Sequence, residues 1–403
     1  MLKESFAQLQ PMPDDPILGI NEQFGLDPRA GKVNLSVGCY LDAQGRLPLL
    51  DVVREAEERL ASRGLSHGYG PMSGLPAFAA AHQKLVFGAD SEALAAGRIA
   101  TIQTLGGTGA LQLAARFAAK HLGARKAVVS EPTWGNHSAI LKGEGFSAGR
   151  YPYMNADGTG VDFEAMIAAL EQLEAGTLVV LHACCHNPTG MDLTAGQWAR
   201  VIEVVKAKDL LPLLDMAYQG FGRGLDEDAA SVRLLAQSGM HGFVAASCSK
   251  NFALYGERIG SLSVVVKDQK EADVVVSILK ALVRSEYSNP PEHGALVVAE
   301  ILNDPSLRAR WEADVRAMRE RVAAMRRALD AAGREAGVEL PFALSQHGMF
   351  SYTGLTPEEM DRLRDEFGIY GVRNGRICVA ALTEANVAAT ARAIATILSE
   401  RSA

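Results

Sequence analysis

Between about residues 50 and 300, short apolar segments rich in β-branched residues alternate with longer segments whose apolar residues recur at helical spacing. The strand candidates are residues 98–105, 126–132, 177–185, 210–218, 242–249 and 260–266, and helical patterns such as 109–123 and 194–209 lie between them. Apolar strands separated by helices are typical of a mostly parallel sheet that helices cover on both faces. The alternation therefore predicts an α/β fold.

The last quarter of the chain has a different pattern. From Trp311, apolar residues recur at steps of three and four as far as Leu329, which predicts one long amphipathic helix. Two more strand candidates, residues 348–355 and 375–382, flank a helical segment, and a closing helix is predicted over 386–400. This part is expected to form a smaller α+β domain.

Composition excludes several classes of protein. The 403 residues are 48% hydrophobic and 22% charged, as in globular proteins, and the net charge of -7 argues against a protein built to hold nucleic acid. No apolar segment approaches the roughly 18 residues of a membrane span, and the N-terminus resembles no targeting signal. Five scattered cysteines without a CxxC pair indicate reduced thiols in the cytoplasm and no zinc site.

Lys250 comes directly after an apolar strand candidate, in the segment "SCSKNFALYGERIG", and Arg258 follows within it. A lysine in that position loses hydration unless something compensates for it. The two residues are either solvated loop cations or a reactive amine beside an anion site. Ligands of parallel sheets collect at the carboxyl ends of strands, so the residues after the other strands bear on this choice.

Three strand ends carry polar candidates that each allow two interpretations. The segment Gly106 to Gly109 is either a tight turn or an anion site at a helix N-terminus, and it matches neither a Walker A loop nor a GxGxxG fingerprint. Asp215, with Tyr218 close behind, is either a helix N-cap or the counter-ion of a buried cation. Asn187 either marks a plain Asn-Pro turn or donates to an oxygen ligand.

The roles of four more residues cannot be decided from the sequence alone. Trp134 either packs in the core or forms a platform for an aromatic cofactor, and His137 is either structural or a partner of a carboxylate. Arg284 and Arg376 are either surface charges or bidentate partners of carboxylates.

Together these segments resemble the class I aminotransferases of the aspartate and aromatic-amino-acid type, which use pyridoxal 5'-phosphate. The resemblance covers nearly the whole chain. It rests on "KVNLSVGCY", "GYGPMSG", "QTLGGTGAL", "PTWGNH", "HACCHNPTG", "DMAYQGF", "SCSKNFALYGERIG", "RSEYSNPPEHG", "GMFSYTGL" and "GRICVA". The strings "ATIQTLGGTGAL", "LLDMAYQGFG" and "LYGERIG" are most similar to the bacterial aromatic-amino-acid enzymes.

The resemblance implies a role for each candidate. Lys250 would form the Schiff base with the cofactor and shuttle the proton, Asp215 would pair with the ring nitrogen, and His137 would orient Asp215. The remaining cofactor contacts would be Gly107, Thr108, Ser247, Ser249 and Arg258 at the phosphate, Tyr218 and Asn187 at the ring oxygen, Trp134 stacked on the ring, and Tyr69 from the opposite subunit.

The substrate site is implied in the same way. Arg376 would bind the α-carboxylate, with Trp134 and Asn187 beside it, and Gly38 and Phe350 would line the pocket. Arg284 of the neighbouring subunit would bind the side-chain carboxylate of dicarboxylic substrates, unless the nearby Glu286 weakens this binding. The enzyme would be a cytoplasmic homodimer with shared active sites, no metal, and no nucleic-acid or membrane partner.

The expected reaction moves an amino group from phenylalanine, tyrosine or aspartate to 2-oxoglutarate by a ping-pong mechanism. The expected fold is the type I fold of pyridoxal-phosphate enzymes, with a mostly parallel seven-stranded sheet in the large domain. The domains would be an N-terminal arm (1–15), a small domain (16–45 plus 311–403) and a large domain (46–310). The alternatives are a dedicated aspartate aminotransferase and a non-catalytic ligand-sensing module; a nicotinamide-dependent dehydrogenase lacks its glycine fingerprint.

Overall fold

A seven-stranded sheet organises the fold in the computed structural model, which describes residue 6, residues 8–11 and residues 18–401. Its strands are β2 (Ile99–Leu105), β3 (Lys126–Glu131), β4 (Ser147–Pro152), β5 (Leu178–His182), β6 (Leu211–Met216), β7 (Gly242–Ser247) and β8 (Ile259–Val265). Their order is β2-β8-β7-β6-β5-β3-β4, and only β8 runs antiparallel to its neighbours. The predicted α/β fold with a mostly parallel sheet is confirmed.

Helices cover both faces of this sheet. The helices between residues 18 and 303 are α1 (Leu18–Leu26), α2 (Asp51–Arg63), α3 (Pro76–Phe87), α4 (Glu92–Ala95), α5 (Gly106–His121), α6 (Gly135–Gly143), α7 (Phe163–Glu171), α8 (Ala195–Ala207), α9 (Leu225–Asp228), α10 (Ala230–Gln237), α11 (Gln269–Glu286) and α12 (His293–Asn303). Of these, α1 lies against Tyr370 rather than on the large sheet, with the Phe24 ring 5.3 Å from that of Tyr370. Every residue of β5, β7 and β8 is buried, which explains why these strands appear in the sequence as continuous apolar segments.

Two sequence predictions differ from the structure in detail. β4 was not predicted, because it is an edge strand whose sequence, SAGRYP, alternates little and is mostly exposed. The long helix, α13 (Pro305–Glu335), begins before Trp311 because Asp304 caps it by accepting from the backbone N–H groups of Ser306 and Leu307. Proline at the first helical position favours the same start.

The C-terminal part, together with residues 33–34, forms two small sheets, and it adds more helices. β1 (Val33–Asn34) pairs in parallel with β10 (Ile369–Tyr370), and β9 (Phe350–Tyr352) pairs antiparallel with β11 (Arg376–Cys378). The helices here are α14 (Pro341–Ser345), α15 (Pro357–Phe367) and α16 (Val387–Glu400). The division into domains stays a prediction, and most of the predicted arm, residues 1–15, lies outside the described residues. Among the described residues, no helix has the length and apolar character needed to cross a membrane.

Candidate functional site

One edge of the large sheet gathers the polar strand-end residues. The register pairs His182 with Asp215 across β5 and β6, and Ser247 with Gly260 across β7 and β8. Because β8 is antiparallel, its amino end lies at the same edge as the carboxyl ends of β2 and β7. Arg258, immediately before β8, is thereby brought next to the start of α5.

A cavity of about 210 Å³ opens at this edge. The sequence-predicted residues that line it are Gly38, Gly107, Thr108, Trp134, Asn187, Asp215, Tyr218, Ser247, Ser249, Lys250, Arg258, Phe350 and Arg376. His137 lies behind Asp215, whereas Tyr69 and Arg284 lie elsewhere on the surface. The chain thus brings one lysine, one carboxylate and two arginines to a single site.

Lys250 and Asp215 are the buried amine and the buried carboxylate of the cavity. Lys250 Nζ lies 5.0 Å from the centroid of the Tyr218 ring. Burial lowers the pKa of Lys250, and the positive charges of Arg258 and Arg376 add to this against the attraction of Asp215. A larger fraction of the amine is therefore neutral, and able to act as a nucleophile or base, than for a solvated lysine.

Asp215 is held as a carboxylate by its neighbours. Burial by itself would raise the pKa of Asp215, but the hydrogen bond from His137 and the charges of His137, His182 and Lys250 outweigh it, so the pKa lies below its ordinary value. His137 Nε2 donates to Asp215 Oδ2 at 2.9 Å, and His137 Nδ1 lies 2.9 Å from the Thr133 hydroxyl. This contact is the one predicted for His137, and it fixes a buried negative charge at one wall of the cavity.

Hydrogen-bond donors suited to an anion lie together in the cavity. Ser247 and Ser249 are linked by a 3.1 Å contact between their hydroxyls, and Arg258 donates to Ser249 Oγ at 3.5 Å and to a backbone carbonyl at 2.9 Å. The N-terminus of α5, at Gly107 and Thr108, adds free backbone N–H groups. Gly106 adopts φ +66°, and a Cβ there would lie 2.6 Å from the Arg258 guanidinium, so this turn requires glycine.

Arg376 is a second arginine of the cavity, and it is buried. Its guanidinium donates to the Ser36 carbonyl at 2.6 Å and to Asn187 Oδ1 at 3.2 Å, while its Nε has no partner among the described residues. Burial lowers the pKa of Arg376. Asn187 also donates to the Tyr218 hydroxyl at 3.3 Å, so the amide joins the arginine to the tyrosine. A buried guanidinium with an unused donor is suited to a carboxylate ligand.

Phe350 closes the cavity next to Gly38. Its ring centroid lies 4.4 Å from the Arg376 guanidinium carbon and 5.7 Å from the Tyr218 ring. A Cβ at Gly38 would lie 2.8 Å from Phe350 Cζ. Because the ring is buried and packed against two site residues, it has little room to move aside.

Gly38→Ala should therefore impair the site by displacing Phe350. Overpacking of this kind costs about 1–3 kcal/mol, which corresponds to a fall in kcat/KM of roughly 10- to 100-fold if the displacement reaches Arg376. Gly31→Ala is the matched control, since a Cβ at Gly31 meets no atom within 4 Å. Equal kcat/KM for the two variants would show that the contact is unimportant.

A buried histidine supports the segment before Lys250. His82 Nε2 lies 3.4 Å from Cys248 Sγ and His82 Nδ1 lies 2.9 Å from Ser261 Oγ, with the ring stacked on Phe78. Burial lowers the pKa of His82 to about 4 from the ordinary 6.5. The residue therefore stays neutral in the native protein.

Acidification should cost stability through His82. Between pH 6.5 and 4 the unfolded chain binds a proton at His82 that the native chain does not. The contribution of neutral His82 to the free energy of unfolding is therefore complete above pH 6.5 and decreases as the pH falls towards 4. The loss in the free energy of unfolding over the whole window is about 3 kcal/mol. The free energy of unfolding of His82→Gln should fall less steeply over this window than that of wild type or of the exposed control His67→Gln. Parallel slopes would contradict this expectation.

Tyr69 and Arg284 meet at a separate surface cavity. They line it together with Gly70, Met72, Ser288 and Asn289, and Tyr69 is 96% exposed. Arg284 hydrogen-bonds to the Ser288 hydroxyl. The sequence analysis left open whether Glu286 weakens carboxylate binding by Arg284. Glu286 instead forms an ion pair with Arg116 at 2.9 Å.

Two polar residues that line the main cavity were missed by the sequence analysis. Tyr255 lies between Lys250 and Arg258 in sequence, and its hydroxyl accepts from the backbone N–H of Tyr40 at 2.9 Å, next to Gly38. His182 is the last residue of β5, and its ring lies 5.0 Å from that of His137. The signal for His182 was present, because it is a polar residue at a strand end.

Comparison with known proteins gives a consistent result. The family model for "Aminotransferase class I and II" matches residues 30–394. An aspartate aminotransferase of Pseudomonas aeruginosa is 48% identical over 98% of this chain and 99% of its own length. The structure of an aromatic-amino-acid aminotransferase from Burkholderia pseudomallei, covalently bound to pyridoxal phosphate, is 50% identical, with a TM-score of 0.95 over 98% of this chain and 99% of that one. An aromatic aminotransferase from Psychrobacter sp. B6, cocrystallised with aspartic acid, is 44% identical, with a TM-score of 0.95 and the same coverage.

Proposed function

The chain belongs to the class I and II aminotransferases, and we propose that it transfers the amino group of aspartate, phenylalanine and tyrosine to 2-oxoglutarate. The observation that carries this proposal is the placement of Lys250, Asp215 and Arg376 around one cavity. An amine whose pKa is lowered, a fixed carboxylate and a guanidinium with an unused donor are what the transamination of an α-amino acid requires.

The cofactor is pyridoxal phosphate, and the residues of the cavity fit it. The serine hydroxyls, Arg258 and the N-terminus of α5 would hold its phosphate, and Asp215 would pair with its protonated ring nitrogen. Trp134 would lie against the ring, with Tyr218 and Asn187 at its oxygen. When bound, the cofactor supplies an aldehyde that bonds to amines and a ring that accepts electrons as the substrate Cα loses its proton.

The chain's own residues would then act in fixed roles. Lys250 would hold the cofactor covalently between turnovers and carry the proton from Cα of the amino acid to the cofactor carbon. Asp215, kept ionised by His137, would hold the proton on the ring nitrogen. Arg376 would orient the substrate through its α-carboxylate, since a bidentate guanidinium restricts both position and rotation. The amino acid would leave as a 2-oxo acid before 2-oxoglutarate binds, giving ping-pong kinetics.

A homodimer with shared sites is the second part of the proposal. Tyr69 and Arg284 lie together at the surface, away from the cavity of their own chain. We propose that Tyr69 contacts the cofactor phosphate of the partner, and that Arg284 binds the second carboxylate of dicarboxylic substrates there. The pairing of Glu286 with Arg116 supports this role, because it directs the nearby acid away from Arg284.

The domain division and the location follow as proposals. The cavity takes Gly38, Phe350 and Arg376 from the predicted small domain and its other residues from the predicted large domain, which is consistent with a small domain (16–45 plus 311–403) packed on a large one (46–310). A cytoplasmic location is favoured by the five free cysteines.

Half-reactions with single amino acids test the substrate range. Purified holoenzyme should lose its yellow absorption when mixed with aspartate, phenylalanine or tyrosine, and 2-oxoglutarate should restore it. If aspartate bleaches the protein and phenylalanine has no detectable effect, the chain is a dedicated aspartate aminotransferase. If no amino acid bleaches it, the ligand-sensing alternative is favoured.

A further inference from the structure

Arg326 is a second buried arginine, and it lies outside the cavity. It projects from α13 and is 6% exposed. Burial lowers the pKa of Arg326 to about 10, and no carboxylate of the described residues contributes to its charge balance. A buried cation that is compensated only by neutral dipoles is costly, so its contacts are informative.

Those contacts hold one segment, the loop of residues 346–351, whose last two residues begin β9. Arg326 donates to the carbonyls of Gly348 at 2.8 Å and Phe350 at 2.5 Å and to the Ser351 hydroxyl at 2.7 Å, with a longer contact of 3.4 Å to the Ala343 carbonyl. Its Nε has no partner among the described residues. The guanidinium thus satisfies backbone carbonyls at the point where the loop enters β9.

The same loop is fixed from its other side by the turn that carries Asn187. The backbone N–H of His347 donates to the Gly190 carbonyl at 2.6 Å. A Cβ at Gly190 would lie 2.7 Å from the His347 carbonyl and 2.9 Å from that of Phe350, so the two segments are in close backbone contact. The loop therefore has one position, between Arg326 and the Asn187 turn.

Phe350 connects the two arginines. Its carbonyl accepts from Arg326, while its ring lies against the guanidinium of Arg376. We propose that Arg326 is a positioning residue for the substrate carboxylate: by fixing the backbone of Phe350, it sets the place of the ring against which Arg376 is held. This inference rests on the proposed role of Arg376 in binding the α-carboxylate.

The proposal predicts where the effect of a substitution will appear. Amino acid and 2-oxo acid both carry the carboxylate, so the KM values of both half-reactions should rise together. Cofactor binding should not change, because Lys250, Asp215 and Arg258 lie at the edge of the large sheet and are not hydrogen-bond partners of Arg326.

The test uses Arg326→Met and Arg326→Lys in the holoenzyme, with Arg327→Met as the matched control, since Arg327 is the exposed next residue on the same helix. Arg326→Met should raise both KM values by on the order of 10- to 100-fold, because small displacements of positioning groups have effects of this size. The visible spectrum and cofactor affinity should match wild type. Arg326→Lys keeps the positive charge but loses the planar arrangement of donors, so its KM values should lie between those of wild type and Arg326→Met.

Several outcomes would overturn the proposal. KM values for Arg326→Met equal to those of Arg327→Met would do so, as would a loss of cofactor affinity in step with the rise in KM, which indicates a general structural role. If Arg326→Met does not fold, Arg326→Lys combined with Phe350→Leu decides: the effects on KM must be non-additive, and additive effects refute the coupling. Failure of wild type and Arg327→Met to transaminate would instead refute the proposed function.

Discussion

Replacing Lys250 with alanine should lower kcat for the transamination of aspartate by on the order of 10⁴-fold or more. Lys250 is the amine of the cavity, and the depressed pKa that burial gives it suits both covalent attachment and proton transfer. Alanine removes both functions at once. The rate of 2-oxo acid formation with 2-oxoglutarate as acceptor measures the loss.

Lys270→Ala is the control for this variant, because Lys270 is an exposed lysine of the same chain. It should keep the wild-type rate. Substantial turnover by Lys250→Ala at saturating cofactor would refute the assignment of Lys250 as the catalytic amine.

Arg376→Met should lower kcat/KM for aspartate and phenylalanine by about 10²- to 10³-fold, since truncating one member of a buried charge pair costs roughly 2–5 kcal/mol. The guanidinium is buried, donates to Ser36 and Asn187, and has an Nε without a partner among the described residues. Its removal should leave the substrate carboxylate without a counter-charge while the cofactor remains bound. Steady-state kinetics with both amino acids measure the effect.

Arg373→Met provides the comparison for Arg376. Arg373 is exposed and pairs with Asp361 at 2.8 Å, so its loss should change kcat/KM by less than about 3-fold. The α-amide of phenylalanine lacks the carboxylate. With this substrate, kcat/KM of wild type and of Arg376→Met should differ far less than with phenylalanine. Equal losses for the acid and its amide would mean that Arg376 does not act on the carboxylate.

The large sheet could be predicted from the sequence because its strands are covered on both faces. β5, β7 and β8 are wholly buried, and burial requires continuous apolar segments, which are visible without a structure. β4 could not be predicted in this way, since an edge strand with exposed residues has no such constraint. The start of α13 depended on the cap at Asp304 rather than on apolar spacing.

The residues of the cavity could be predicted because parallel strands present their ends at one edge. Asn187 and Lys250 follow strand candidates and Asp215 lies near the end of another, so topology alone brings them together. Arg258 is different, because it reaches the edge only through the antiparallel direction of β8. The role predicted for it was implied by the resemblance to a family and not by spacing.

Contacts between distant segments were beyond sequence reasoning. Tyr255 reaches the cavity edge through its bond to the backbone of Tyr40, and Arg326 reaches the loop of Phe350 from a helix that appears merely amphipathic. Neither residue stands out by type or spacing. Such contacts depend on how the two parts of the chain pack, which local patterns do not specify.

Mapping the covalent attachment of the cofactor tests the central claim most directly. The holoenzyme would be reduced with borohydride, digested and analysed by mass spectrometry, with Lys250→Ala treated in parallel. The account predicts a phosphopyridoxyl adduct on the peptide that contains Lys250 and none in the variant. An adduct confined to another lysine, or a wild-type protein that carries none after incubation with pyridoxal phosphate, would contradict it.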